Sequence, residues 1–341
     1  IIAFWITLVN VLIYNHLFIN NFSKQELKLM LITTILIIGF GWTKIHTSRN
    51  QDNTTELSIA VIQPNLDPNE KWDKSTRELT FNIMDSLHRK AIDLDPDIIL
   101  FPETALPAYL RINNRVRQRL QNIVDQSNIP ILIGTVDRRF DNKGKKLFYN
   151  SSMFICPYKD YLMYDKIHLV PFAEYDLMPS LLHPLGELNL NIDRGVFMPG
   201  ENYTIFDYNG VRFSNLICYE STLPHYARRF VKNGAEFLMI QANDGWLGES
   251  AGPYQHFEHA RLRAIENRVT VIRSGNTGIS GVILPNGKIK KKVSLGRQGI
   301  FKESIILGEP GSIYSKYGDI FSSICFVIFI FLSLVVSCIK K

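Results

Sequence analysis

Three stretches of the chain are apolar over more residues than an amphipathic surface helix would carry. Ile320–Ile339 (IFSSICFVIFIFLSLVVSCI) has no charged residue and is followed by Lys340-Lys341. About 20 such residues rising about 1.5 Å each match a hydrocarbon core of about 30 Å, so a membrane-spanning helix is expected there. A buried core helix is the alternative, but helices of that kind rarely lack a polar face over this length. Near the start, Ile1–Ile19 and Leu27–Ile45 form a second pair. The first holds Asn10, Asn15 and His16; the second is densest from Leu29 to Trp42, with Lys28 and Lys44 placed to snorkel. Together they predict a helical hairpin. A cleavable signal peptide fits poorly, because no basic segment precedes the first run and no small-residue cleavage site follows it. The chain opens on Ile1, inside an apolar run, and is expected to be a fragment of a longer protein.

Lys24 and Lys28 fall in the expected loop between the first two spans, and Lys340-Lys341 follow the last. The preference of Lys and Arg for the cytoplasmic side then puts everything from about residue 46 to 318 on the outer side of the membrane. In a bacterium that is the periplasmic face of the inner membrane, or the outer surface.

Between the spans the period changes. His46–Thr55 is a polar linker. Strands are expected at Leu57–Gln63, Asp97–Phe101, Pro130–Val136, Leu147–Cys156, Tyr161–Lys166, Arg212–Cys218, Phe237–Gln241, Thr270–Ser274 and Gly281–Leu284. Helices are expected at Lys74–Leu94, with a stripe of Leu79, Ile83, Leu87 and Ala91, and at Arg115–Gln126, Pro224–Asn233 and Pro253–Asn267. Alternating β and α units of this kind make an α/β layered domain. The domain plan is therefore two transmembrane helices in 1–45, a linker at 46–55, a catalytic domain over 56–312 and a last transmembrane helix at 320–339. No internal repeat is visible.

Composition refines this only slightly. At 46% hydrophobic and 21% charged, with four cysteines, the chain is neither disordered nor a disulfide scaffold. Its net charge of +6 suits an anionic membrane surface. With no zinc-finger spacing, RNP motif or long basic run, no nucleic-acid partner is expected.

Three segments place a reactive side chain at the end of a buried strand: Glu103 in FPETA, Lys166 in YDKIHLVPFAE, and Cys218 in NLICYE. Ligand sites in α/β sheets gather at the carboxyl ends of strands, where these groups could meet. A thiol needs a base or a lowered pKa to become a nucleophile. Glu103 in an apolar setting could take its proton and later return it, and Lys166 could face a developing oxyanion. Each residue also has a plainer reading, as a solvated loop carboxylate, a surface lysine, or a cysteine paired with Cys156. His168, His183, His256 and His259 do not make a metal site, since His256 and His259 are only i,i+3 with no acidic partner pattern. No metal and no cofactor is expected.

The segments FPETALP, YDKIHLVPFAEY, NLICYESTLP and NDGWLGESAGPYQHFEHARLRAIENR resemble the nitrilase superfamily of carbon–nitrogen hydrolases over about residues 56–305. With apolar spans on both sides, they resemble its membrane-bound branch, the apolipoprotein N-acyltransferases. The resemblance implies a nitrilase-like αββα sandwich flanked by transmembrane helices, with Glu103, Lys166 and Cys218 as a catalytic triad. It further implies supporting or substrate-binding roles for Glu174, Tyr219 and Glu220, and an active-site loop containing Trp246. For Glu174 and Glu220 a structural role is the alternative, pairing with Lys166 or with backbone amides. The implied partners are a phospholipid acyl donor, a diacylglyceryl apolipoprotein acceptor and the membrane, in a multi-pass protein of the bacterial inner membrane. A membrane-tethered amidase using the same triad with water is the competing function, and a non-catalytic membrane scaffold is a third.

Overall fold

The computed structural model describes residues 2–19, 23–46, 56–68, 70–73, 75–175, 197–307 and 311–339. The chain divides into two compact units, Asn53–Lys316 and the pair of end segments Ile1–Asp52 and Tyr317–Lys341. Most of the expected linker, together with His183 and Lys340-Lys341, lies outside the described residues.

The larger unit is built on two six-stranded sheets. The first runs β12-β1-β2-β3-β4-β5, using β1 (Glu56–Gln63), β2 (Ile98–Leu100), β3 (Ile131–Phe140), β4 (Lys146–Ile155), β5 (Leu162–Asp165) and β12 (Gly299–Ile306). The second runs β11-β10-β9-β8-β7-β6, using β6 (Phe206–Tyr208), β7 (Val211–Ile217), β8 (Phe237–Ala242), β9 (Thr270–Gly275), β10 (Ser280–Ile283) and β11 (Ile289–Val293). Each sheet holds three parallel strands, β1-β2-β3 or β7-β8-β9, extended at both edges by antiparallel ones. The same strand plan thus occurs twice, although no repeat is visible in the sequence.

The period of two along each strand separates two cores. Ile59, Val61, Leu100, Leu132 and Phe154 from the first sheet join Phe213, Leu216, Leu238, Ile240 and Val271 from the second in one buried cluster. The neighbouring residues Ala60, Ile62, Ile99, Ile131 and Ile133 face the other way, onto α3 (Arg77–Ile92) and α4 (Asn114–Ser127). Residues of α5 (Pro224–Lys232) and α6 (Gly252–Asn267), including Phe230, Ala260 and Ala264, pack with the second sheet. The layers are helix, sheet, sheet, helix.

On α3 the buried residues are Thr80, Met84, Leu87, His88 and Ala91, whereas Leu79 is 59% exposed. The expected stripe stepped by four throughout and drifts off the 3.6-residue turn; the real face alternates steps of four and three. Three strands escaped the sequence reading. β6 has only three residues, β11 is a run of exposed lysines with little apolar pattern, and β12 gains its meaning only from pairing with β1 more than two hundred residues earlier.

In the smaller unit, α1 (Ile2–Tyr14) continues into a wider π turn at Asn15–Ile19. α2 (Lys24–His46) and α8 (Ile320–Ile339) follow, while a short α7 (Ile313–Tyr317) lies almost wholly at the end of the larger unit. Lys24–Thr43 and Ile320–Cys338 are long and apolar enough to cross a membrane; the apolar helix Ile2–Phe18 is shorter. Lys24 and Lys28 stand in the first turns of α2 and not in a loop. Phe326, Phe329 and Phe331 of α8 are all more than 60% exposed, an apolar surface that a bilayer would cover.

The parallel strand β3 runs unusually close to the segment after β2. A Cβ on Gly134 would lie 2.5 Å from the Pro102 carbonyl oxygen and 2.7 Å from Cα of Glu103. Gly134→Ala is therefore expected to lower the unfolding free energy by about 1–3 kcal/mol in a denaturant titration, and parental stability would contradict this close approach.

Candidate active site

Glu103 lies in the turn that follows β2 and is 6% exposed. Its Oε1 accepts a hydrogen bond from Asn150 Nδ2 at 2.7 Å. The same Asn150 amide donates to Glu174 Oε1 at 3.0 Å, so one side chain from the middle of the first sheet ties both carboxylates. Thr104, next to Glu103, has φ +43°, and its carbonyl and hydroxyl both receive the ammonium of Lys71, which is 3% exposed.

Lys166 follows β5. Its backbone is fixed from both sides: its N–H donates to Asn150 at 2.8 Å, and its carbonyl accepts from the N–H of Gly200 at 2.8 Å. Its ammonium, 1% exposed, sits 2.6 Å from Glu174 Oε2, which also accepts the Val170 N–H at 2.8 Å. Cys218 is the first residue after β7, half-buried, with a free thiol and φ +51°. Cys156 is also free, and buried in the core.

Glu220 is fully buried and bridges two of these segments. Its Oε1 accepts the N–H groups of Ile167 at 2.9 Å and His168 at 3.2 Å, just after Lys166. Its Oε2 accepts the N–H of Ile217 at 3.0 Å, just before Cys218. Tyr219 is half-buried, its ring tilted against His168 at a centroid distance of 5.8 Å. Trp246 lies on the turn Asp244–Leu247 and is 67% exposed; among the described residues it takes no part in these hydrogen bonds.

The three groups singled out in the sequence interact electrostatically. Burial pushes the Cys218 thiol far up, and the Glu103 charge adds to this while Lys166 opposes it. Burial likewise raises Glu103, against Lys166 and with Glu174. Burial works against the Lys166 ammonium, but the charges of Cys218, Glu174 and Glu103 outweigh it and its pKa stands above the usual lysine value. Burial therefore favours the uncharged forms of the thiol and the carboxyl, while Lys166 is the cation that both of them feel. That arrangement suits proton transfer from sulfur to carboxylate followed by attack on a carbonyl. Lys71 is lowered to about 8 by its burial, with Glu103 opposing.

Behind Cys218 lies a second buried cluster that sequence reasoning missed. Asp244 accepts from Arg273 Nη2 at 2.7 Å on one oxygen and faces His256 Nδ1 at 2.7 Å with the other. Arg273 is fully buried within β9, and a charge directly after Val271-Ile272 in an expected strand was the available signal. The acidic partner of His256 comes from the turn after β8, so inspection of α6 alone could not find it. Asn150 stood in a similar run, Asn-Ser-Ser, inside an apolar strand.

The profile of the carbon–nitrogen hydrolase family matches residues 58–311. An apolipoprotein N-acyltransferase of Geobacter metallireducens is 33% identical over 335 residues, covering 95% of this chain and 63% of that protein. One from Chlorobaculum tepidum is 30% identical, covering 100% of this chain and 68% of that protein. The chain thus spans about two thirds or less of the length of such relatives. Among solved structures, an amidase from Nesterenkonia sp. aligns with a TM-score of 0.56 at 17% identity, over 76% of this chain and 94% of that one. A Saccharomyces cerevisiae member of branch 10 of the nitrilase superfamily aligns at 0.55 and 19% identity, over 74% and 90%. These two likenesses establish the sandwich fold.

Two outcomes follow from the buried carboxylates. Glu220→Gln removes one of the two acceptor oxygens and should cost about 1–3 kcal/mol of unfolding free energy in urea, with Glu220→Ala costing more. Burial opposes the Asp244 carboxylate, but Arg273 and then His256 hold its pKa at about 2, below the ordinary 3.8. A depressed acid stabilises the fold fully above its unfolded pKa and loses that contribution as pH falls through the folded one. Urea titrations from pH 5 to pH 2 should thus show about 2 kcal/mol of acid-linked loss that Asp244→Asn lacks. Equal pH slopes in parent and variant would contradict this.

Proposed function

The chain belongs to the carbon–nitrogen hydrolase family, on its apolipoprotein N-acyltransferase branch, and we propose that it moves a fatty acyl group from a phospholipid to a lipoprotein through a thioester on Cys218. The observation that carries this reading is the convergence of a raised carboxyl, a buried ammonium and a free thiol, from the ends of three strands in two sheets. The names of the relatives supply the acceptor class, and the apolar helices at both ends of the chain supply the setting.

In the first half-reaction Glu103 takes the thiol proton as sulfur attacks the ester carbonyl. Lys166 faces the oxyanion, the acyl C–O bond breaks, and Glu103 hands its proton to the departing lysophospholipid oxygen. In the second, the α-amine of the diacylglyceryl cysteine attacks the thioester. Glu103 accepts a proton from the amine and returns it to the Cys218 sulfur as the amide forms. A thioester is reactive enough to acylate an amine, and no external energy source enters either half.

Both substrates carry fatty chains, each buried CH₂ worth about 0.8 kcal/mol, so they stay in the bilayer and the enzyme must come to them. This favours a multi-pass protein of the bacterial inner membrane, with the catalytic unit, residues 56–312, on the outer face. Glu174 holds the Lys166 ammonium and Glu220 holds the two flanking backbones; in this reading Tyr219 and the exposed Trp246 are the substrate-contacting residues.

Full-length protein incubated with phospholipid should gain one fatty acyl mass on Cys218, read by intact-mass and peptide spectrometry. Cys218→Ala should gain none, and Glu103→Gln should fail to form the adduct. Lys166→Ala should lose about 2.7–4 kcal/mol of transition-state stabilisation if it serves the oxyanion. An unmodified Cys218 alongside hydrolysis of a small amide would favour the amidase reading instead.

A further inference from the structure

Cys218 has a left-handed backbone, φ +51°, which costs a residue with a β-carbon about 1–3 kcal/mol and persists only where its surroundings impose it. What imposes it here converges on one atom, the carbonyl oxygen of Cys218 itself. Ser221 Oγ donates to that oxygen at 2.7 Å, and His256 Nε2 lies 3.0 Å from it. His256 comes from α6, a separate element, and is 7% exposed. Its other nitrogen faces Asp244 at 2.7 Å, and Asp244 is in turn bound by Arg273, whose Nε is fixed by the Ile279 carbonyl at 3.0 Å. The chain of contacts therefore runs from the floor of the second sheet to the backbone of the nucleophile.

Ser221, His256 and Asp244 have the connectivity of an acyl-transfer triad, with Ser221 Oγ 3.0 Å from His256 Nε2. Ser221 is fully buried, however, and its hydroxyl is engaged with the Cys218 carbonyl, so no substrate reaches it. The contacts serve the cysteine. A carbonyl accepts and cannot donate, so this contact is a hydrogen bond only where Nε2 carries a proton. The Asp244 carboxylate makes the same demand of Nδ1, and the two contacts together therefore need the ring protonated on both nitrogens. Gly278 makes room for the Asp244 carboxylate: a Cβ there would lie 2.0 Å from Asp244 Oδ2.

We propose that His256, oriented by Asp244 and Arg273, is a positioning residue that clamps the Cys218 carbonyl through an Nε2 proton and so holds the thiol in its attacking orientation. This rests on Cys218 being the nucleophile. It does not depend on what the acyl donor is.

The test compares His256→Ala with His256→Gln, whose side-chain amide can still donate to the carbonyl, in the full chain. Alkylation of Cys218 by iodoacetamide, followed by peptide mass spectrometry, reads the thiol without any lipid substrate. His256→Ala should slow it about 10-fold or more, while His256→Gln recovers to within about 3-fold of the parent, the range one or two lost hydrogen bonds can produce. With phospholipid donor, kcat should fall in the same order while KM stays level. In the parent, ¹⁵N spectra of the His256 ring should show a protonated Nε2. Parental alkylation by a folded His256→Ala, equal losses in both variants, a loss confined to KM, or a bare Nε2 would each overturn the clamp. If His256→Ala does not fold, the Nε2 assignment in the parent decides alone. Absence of an acyl adduct on the parent, with the alkylation difference intact, would sink the acyl-transfer reading and leave the clamp standing.

Discussion

An ammonium withdrawn from water persists only with negative charge packed against it, and Lys166 sets that condition for the whole site. It is 1% exposed, it touches Glu174, and it feels Glu103 and Cys218 through a medium with little water to screen them. The requirement runs in both directions. Without the cation, two carboxylates held by a single asparagine amide would repel each other; without the carboxylates, the cation would be stranded. The segments after β2, β5 and β7 are thereby committed to one another, which explains why Glu220 reaches across to bind the backbones beside both Lys166 and Cys218.

The two sheets are also joined by polar contacts, at the ends of strands where the apolar interlayer gives out. Gln241 of β8 donates to the carbonyls of Phe101 at 2.7 Å and Leu132 at 3.2 Å, and Ser274 of β9 donates to Ile62 at 2.7 Å. Asn215 of β7 reaches Ser152 of β4 at 2.7 Å. Apolar contacts alone would let the sheets slide, whereas directional bonds between fully buried groups fix one register. Two residues with positive φ, Thr104 and Cys218, stand at the strand ends, one in each sheet. Each is anchored through its own carbonyl, the first by Lys71 and the second by Ser221 and His256.

Much of this could be read from the chain. Strand periodicity located nine of the twelve strands in the described residues, and the groups Glu103, Lys166 and Cys218 stood out because each ends an apolar run. The pairing of Glu174 with Lys166 and of Glu220 with backbone amides was the structural alternative to the supporting roles that the family resemblance implies. What escaped was whatever depends on partners distant in sequence. His256 looked unsupported because Asp244 lies before its helix begins, and Arg273 drew no reading because its acceptor is on another element. On α3 the expected stripe held at Leu87 and Ala91 and left the buried face at its first residue, Leu79, for a local reason, the drift of a four-residue step around a 3.6-residue turn. β12 was invisible because its identity is its partner.

That last pairing governs the order in which the protein can be made. β1 lies between β2 and β12, bonded antiparallel to the latter from Glu56 against Ile306 to Gln63 against Gly299. While the polypeptide is still emerging from the ribosome, one side of β1 stays without its neighbour until nearly the whole domain has been translated. An unfilled sheet border exposes N–H and C=O groups that recruit other chains. The nascent domain must therefore wait, shielded by chaperones or by the speed of its own completion, for its last strand to close the first sheet.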